Sequence, residues 1–308
     1  MSATNIELPA GVHVFVRGWL SSNCILFDDG LSSWLVDSGY CTHAEQTVDL
    51  LTSKLGARPL DFLLNTHLHS DHCGGNSALQ HKYSHLVTSI PTGQSELVKV
   101  WDPKGLFYTP TGQICPRFGF NKTLESGSTV QLGLQKWEIH PAGGHDPHAI
   151  ILFEPTSRVL ISGDALWKNG FGVIFPELEG TEAFSDVAKT LELIENLNPS
   201  LVLPGHGEVF EYTPQIMLSA RRKLDGFMKD PVKLARHGAK VLLKFKLLER
   251  QRLPYSEFVH WCSETPCLVQ YQRQFFQGLD FRLWIDQLCV ELVKASVAKF
   301  DGDELVNQ

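Results

Sequence analysis

The run Thr66-His67-Leu68-His69-Ser70-Asp71-His72-Cys73-Gly74-Gly75 places four potential metal ligands within six positions. In an extended segment alternate side chains share one side, so His67 and His69 can aim at one ion. Where the chain turns, the adjacent Asp71 and His72 can diverge toward a second, and Gly74 and Gly75 allow tight backbone geometry behind them. A metal takes about four ligands, and a catalytic one keeps a position open for water. The remaining donors must come from elsewhere. Three candidates stand beside glycine next to apolar runs: His145 in Gly143-Gly144-His145-Asp146, Asp164 in Ser162-Gly163-Asp164, and His206 in Pro204-Gly205-His206-Gly207. Each is placed to sit on a strand end at a loop-rich rim.

The elements that would hold these residues are legible around them. Short β-rich runs at Val12 to Val16, Cys24 to Phe27 and Trp34 to Val36, separated by Asp-Gly and Ser-Gly turns, predict antiparallel strands. Helical periodicity follows from His43 to Leu55, and the apolar run Phe62 to Leu64 ends on the first histidine cluster. Residues 91 to 127 are less regular and rich in Pro, Gly and aromatics. Strands are predicted again near Thr129 to Leu132, Trp137 to Ile139, Ala149 to Phe153, Val159 to Ile161 and Leu201 to Leu203, with a helix at Glu182 to Leu197. Such a mixture suggests sheets packed face to face and covered by helices. Beyond about residue 213 the β signals fade. Asp230-Pro231 is a good N-cap and first-turn pair for a helix reaching Glu249.

Composition fits this picture. The chain has 308 residues, 43% of them hydrophobic and 20% charged, which excludes disordered and low-complexity classes. Its net charge of −7 gives no general attraction for phosphate backbones. That total hides a contrast: 12 basic against 23 acidic residues in 1–212, and 15 against 11 in 213–308. The expected division is therefore a catalytic part at 1–212 and a helical part at 213–308. Seven widely spaced cysteines without a C-x-x-C pair argue against a disulfide framework. The opening Met-Ser-Ala-Thr-Asn-Ile-Glu lacks a signal-peptide pattern, and no apolar run reaches spanning length, so the expectation is a cytoplasmic protein with no membrane association.

With H-x-H-x-D-H at His67 to His72, then His145, Asp164 and His206 in order, residues 12–212 resemble the metallo-β-lactamase-fold hydrolases. Val36-Asp37-Ser38-Gly39 and Pro204-Gly205-His206-Gly207 match further signatures of that family. The resemblance implies an α+β, four-layer αββα sandwich with a two-metal site at one edge, followed here by a helical, winged-helix-like C-terminal part. It implies that His67, His69 and His145 hold one metal and that Asp71, His72 and His206 hold the other, with Asp164 bridging. Two zinc ions per chain are the default, with iron or manganese compatible with the same ligands. The family usually separates two histidines of its third motif by three residues, whereas His145 and His148 are separated by two. His145 is the expected ligand, and His148 the alternative or a supporting group. Asp37 is a candidate for a supporting or a turn-stabilising role. Cys73 reads as a small buried residue.

A two-metal site supplies hydroxide near neutral pH and polarises the attacked bond. The expected activity is therefore hydrolysis of a small-molecule ester, thioester or lactone through a metal-bridging hydroxide, with Asp71 orienting and helping to deprotonate the water. The aromatic loop Trp101, Phe107, Tyr108, Phe118 and Phe120 would line the substrate cleft or form an ordinary packed loop. The alternative is a metal-dependent endoribonuclease that binds RNA through Arg221 to Arg252, where 11 basic residues face 3 acidic ones and Lys233, Arg236, Lys240 and Lys244 fall near one helical face. A third reading is a persulfide dioxygenase type with one iron. Val241, Phe245 and Leu248 offer an apolar side to pack on the catalytic part; the same helices could instead cap the pocket or form a homodimer interface.

Overall fold

The computed structural model describes residues 8–308; residues 1–7, on which the reading of the N-terminal segment rests, lie outside the described residues. Twelve strands form two six-stranded mixed sheets. The first contains β1 (Val12–Phe15), β2 (Cys24–Asp28), β3 (Ser33–Val36), β4 (Phe62–Leu64), β5 (Val87–Pro91) and β6 (Lys122–Leu124), in that spatial order. Its first three strands are antiparallel and the last three continue in parallel from β3. The second contains β7 (Thr129–Leu132), β8 (Gln135–Pro141), β9 (Ile150–Glu154), β10 (Val159–Gly163), β11 (Leu201–Pro204) and β12 (Phe210–Glu211), with β10 and β11 parallel and the other neighbours antiparallel.

Alternation along the strands decides which residues fill which layer. Ile25 and Phe27 of β2 join Ile150 and Leu152 of β9 and Leu201 and Leu203 of β11 in the core between the sheets. Their neighbours Cys24 and Leu26 turn outward to Leu51 and Leu55 of helix α1 (Ala44–Leu55). Helix α2 (Ser70–Cys73) follows β4, and α3 (Asn76–Lys82) covers the same outer face through Leu79. The irregular section folds into two short helices, α4 (Ser95–Val100) and α5 (Tyr108–Thr111). After α6 (Phe175–Leu178), helix α7 (Phe184–Leu197) places Val187, Leu191 and Ile194 on Ile151, Phe153, Leu160 and Val202, the outer face of the second sheet. The result is four layers, αββα.

The C-terminal part begins with α8 (Pro214–Lys229) and α9 (Pro231–Arg250). Asp230 caps α9 through the Lys233 amide at 3.1 Å, with Pro231 in the first turn. Then come β13 (Arg252–Pro254), α10 (Tyr255–Glu264), α11 (Pro266–Phe275), α12 (Phe281–Lys294), β14 (Ala298–Asp301) and β15 (Glu304–Asn307). The three strands form one sheet in the order β13, β15, β14. Helix, strand, helices and a final hairpin is the order of a winged helix. The fading of β signal beyond residue 213 is thus corrected by a small sheet, whose hairpin turns at Asp301-Gly302-Asp303, with Gly302 at φ +62. One apolar cluster joins α7 to this part through Leu224, Phe227, Leu243, Tyr271 and Trp284. Val241 packs into that cluster, while Phe245 and Leu248 meet Leu20 and Tyr40, so the apolar side of α9 rests on the first 212 residues as its pattern predicts. Among the described residues no helix is long and apolar enough to cross a membrane.

Candidate metal centre

Seven side chains converge where strands end. β4 delivers the segment with His67 and His69 before α2 presents Asp71 and His72; the β8–β9 connection carries His145, and β10 and β11 run out into Asp164 and His206. Three overlapping sets have ligand atoms within 4.8 Å of one another: His67, His69 and His145; His67, His72 and Asp164; Asp71, His72 and His206. Asp164 stands between the groups, its Oδ2 3.3 Å from His145 Nε2 and its Oδ1 3.3 Å from His72 Nε2. Asp71 Oδ2 is 3.1 Å from His206 Nε2, and His69 Nδ1 is 2.8 Å from His145 Nε2.

The donor set fits cations. His67 Nε2 and His72 Nε2 are buried with no hydrogen-bond partner, although each faces other ligand atoms. Burial, with the neighbouring His145 charge adding to it, pushes His69 down to about 4, and burial with His72 beside it drives His67 well below its ordinary value. Burial opposes ionisation of Asp164, yet His206 and His72 hold it well below the usual carboxylate range; burial opposes ionisation of Asp71 too, and His72 lowers it nonetheless. His72 moves the other way: burial would lower it, but Asp164, Asp37 and Asp71 surround it with negative charge and raise it. His67, His69, Asp71 and Asp164 are thus held in the forms that bind a divalent cation, neutral imidazole and ionised carboxylate.

Groups behind the ligands fix them. Asp37, in the left-handed region at φ 59, accepts from the Thr66 amide at 2.9 Å, the Thr66 hydroxyl at 2.8 Å and His72 Nδ1 at 2.8 Å. It therefore shapes a turn and orients a candidate ligand at once. His145 Nδ1 donates to the Val173 carbonyl at 2.5 Å. The glycines serve close approach: a Cβ on Gly74 would stand 2.5 Å from the Ser70 carbonyl oxygen, and one on Gly205 would run into Asp164 Oδ1. His148 lies outside the cluster, its exposed ring against Gly93. Its neighbour Asp146, unmarked in the sequence, is buried with its carboxylate 3.8 Å from His69 Nε2. Cys73 is buried against Tyr108 and Cys115.

A cavity of about 690 Å³ opens on these residues. The aromatic loop divides there: Phe107 and Tyr108 line the cavity, whereas Trp101, Phe118 and Phe120 pack around Leu68 and Ile90. Trp19 stacks on His206 with ring centroids 5.4 Å apart, and Trp167 donates its indole N–H to Asp164 Oδ1 at 3.2 Å. Neither tryptophan has a sequence signal, because each reaches the site only through folding. Three cations of α9 are engaged on the cavity side while Lys233 is exposed: Arg236 and Lys240 share Glu291, Lys244 is held by the Val297 carbonyl, and Lys240 and Lys244 line the cavity.

This sandwich with a histidine and aspartate centre at one edge defines a class, and comparison with known proteins agrees. The family model for the metallo-beta-lactamase superfamily matches residues 17–206. The chain belongs to that superfamily and is a metal-dependent hydrolase. It is 28% identical over 244 residues to the hydroxyacylglutathione hydrolase of Brucella anthropi, covering 78% of each chain. The Brucella ovis protein of the same name is 29% identical over 218 residues, 67% of this chain and 70% of that one. Among solved structures, a metallo-beta-lactamase family protein from Thermus thermophilus shares the fold over 98% of this chain and 100% of its own, at 14% identity and a TM-score of 0.55. ETHE1 from Myxococcus xanthus shares it over 71% of this chain and 90% of its own, at 16% identity and a TM-score of 0.52.

Proposed function

We infer that the chain hydrolyses a small-molecule thioester at a dinuclear zinc centre held by His67, His69 and His145 on one side and Asp71, His72 and His206 on the other, with Asp164 between. The observation that carries this reading is the overlap of the three ligand sets at the mouth of one cavity. Its volume suits a small molecule. The names of the Brucella relatives support a thioester. Zinc bound there would supply a water acidified toward neutral pH and polarisation of the substrate carbonyl.

The chain's own groups do the rest. Asp71 orients the attacking water and takes its proton, and Asp37 keeps His72 in one tautomer by accepting from Nδ1. Phe107 and Phe175, 5.5 Å apart by ring centroids, wall the site against bulk water. Residues 1–212 are the catalytic unit in this reading and 213–308 close the cavity over it. Replacing His67 or Asp164 by alanine should remove bound metal and thioesterase activity together, as read by elemental analysis and a thiol-release assay. A metal-free variant with full activity would refute the assignment.

A further inference from the structure

Folding gathers two thiols from positions 42 residues apart beside the candidate ligands: the Cys73 sulfur is 3.9 Å from that of Cys115, and all seven cysteines are free. Cys73 ends α2 directly after His72 and is sealed from solvent. Its sulfur lies 3.3 Å from the His69 carbonyl oxygen and 3.2 Å from the Tyr108 hydroxyl. Cys115 is only half-buried, so it is the thiol of the pair that a solute meets. It belongs to residues 113–120, which form neither helix nor strand between α5 and β6. Two cysteines in contact, one open and one closed, are the arrangement of an attacking and a resolving thiol.

The two sides differ in their freedom to move. The turn after α2 packs on backbone: a Cβ on Gly74 would stand 2.6 Å from the Cys41 amide nitrogen, and one on Gly75 2.4 Å from the Ser38 carbonyl oxygen. To bond, the sulfurs must approach to roughly 2 Å. That approach falls on the irregular segment and spares α2. The segment is tied to the cavity, because Gln113 accepts a hydrogen bond from the Ser70 hydroxyl, and both residues line the wall with Tyr108.

We propose that Cys115 and Cys73 form a reversible disulfide on exposure to a small hydroperoxide, and that this bond narrows substrate entry while leaving the metal ligands in place. The Cys115 sulfur attacks the terminal oxygen of the peroxide; the O–O bond breaks, and the thiol proton leaves on the other oxygen as an alcohol, or as water from hydrogen peroxide. Cys73 then attacks the sulfenic sulfur, the S–O bond breaks, and hydroxide departs with the Cys73 proton as water. Two thiols are oxidised to one disulfide and one peroxide is reduced. The oxidant must be small, since Cys115 is only partly open and Cys73 is closed. The disulfide site is independent of the thioester reading above; only its effect on substrate entry rests on that reading.

Zinc-loaded protein should be treated with one equivalent of hydrogen peroxide, alkylated and digested without reductant for peptide mass spectrometry. A Cys73–Cys115 linked peptide is expected, with the free thiols of the unfolded sample falling by two and dithiothreitol restoring them. Bound zinc should be unchanged, while KM for a small S-acyl thioester rises about tenfold, the order of one displaced hydrogen-bonding contact, and returns on reduction. Cys115→Ser should keep the KM of the untreated parent and lose its response to peroxide. Cys73→Ser should leave a Cys115 sulfenic acid that dimedone traps. Retention of all thiols after peroxide, a linkage between two chains, or a Cys41–Cys115 bond in its place would overturn the pair. Oxidation by glutathione disulfide and not by peroxide would overturn the choice of oxidant. A linked pair with unchanged KM, or with loss of zinc, would overturn the proposed effect on entry. A linked pair in a protein that hydrolyses no thioester in either state would uphold the site and refute the thioesterase reading.

Discussion

Asp37 lies outside the ligand set and still governs it, because one carboxylate takes three hydrogen bonds from Thr66 and His72. An Asp37→Asn amide keeps the size and loses the charge and one acceptor atom, so His72 is no longer held in one tautomer. Groups in this position are commonly worth about 10–100-fold in metal affinity, and a loss of roughly that size is expected when zinc is competed away by a chelator. Unaltered affinity would show that Asp37 serves the turn alone. All seven candidate ligands were legible in the sequence because their spacing and glycine neighbours are local features. Asp146 was not, although it adjoins His145, and Trp19, Trp167 and Lys223 were not, since nothing beside them in the chain tells of the cavity they line.

At the scale of elements, the site depends on α2 packing against backbone with no room for a side chain at Gly74. Gly74 sits at an ordinary helical φ of −62, so contact and not conformational freedom demands glycine. Gly74→Ala should cost about 1–3 kcal/mol, the usual range for overpacking a rigid site, and lower zinc binding with it. Chemical denaturation and metal analysis on the same sample check both; a variant as stable as the parent would contradict the packing. Helices α8 and α9 carry a second prediction through His237, whose ring stacks on Phe227 at 5.6 Å. Burial, aided by Lys223 and Lys240, pushes His237 down to about 4. Between about pH 6.5 and 4 the unfolded chain takes up a proton that the folded one refuses, so stability is fully present above 6.5 and lost as pH falls toward 4. Wild type should lose up to about 3 kcal/mol more than His237→Gln across that window. Parallel pH profiles would contradict it. Alternating strands such as Cys24 to Phe27 and the Asp230-Pro231 helix start were readable because period and cap are written locally. α4, α5 and the sheet of β13, β14 and β15 were not: they are short and are stabilised by tertiary contacts.

For the whole molecule, the winged-helix-like part matters less as an appendage than as the inner wall of the catalytic cavity. Its +4 charge, 15 basic against 11 acidic residues, kept an RNA reading open in the sequence; four of those cations, Lys223, Arg236, Lys240 and Lys244, turn to Glu291 or to the cavity. In the proposed function this cavity serves a dinuclear zinc thioesterase. The most direct test titrates metal-free protein with zinc while counting bound ions per chain and following hydrolysis of a small S-acyl thioester. Hydrolysis should rise with loading and saturate at two zinc ions per chain. No hydrolysis at any zinc loading, or a protein that purifies with one iron per chain and no zinc, would contradict the account.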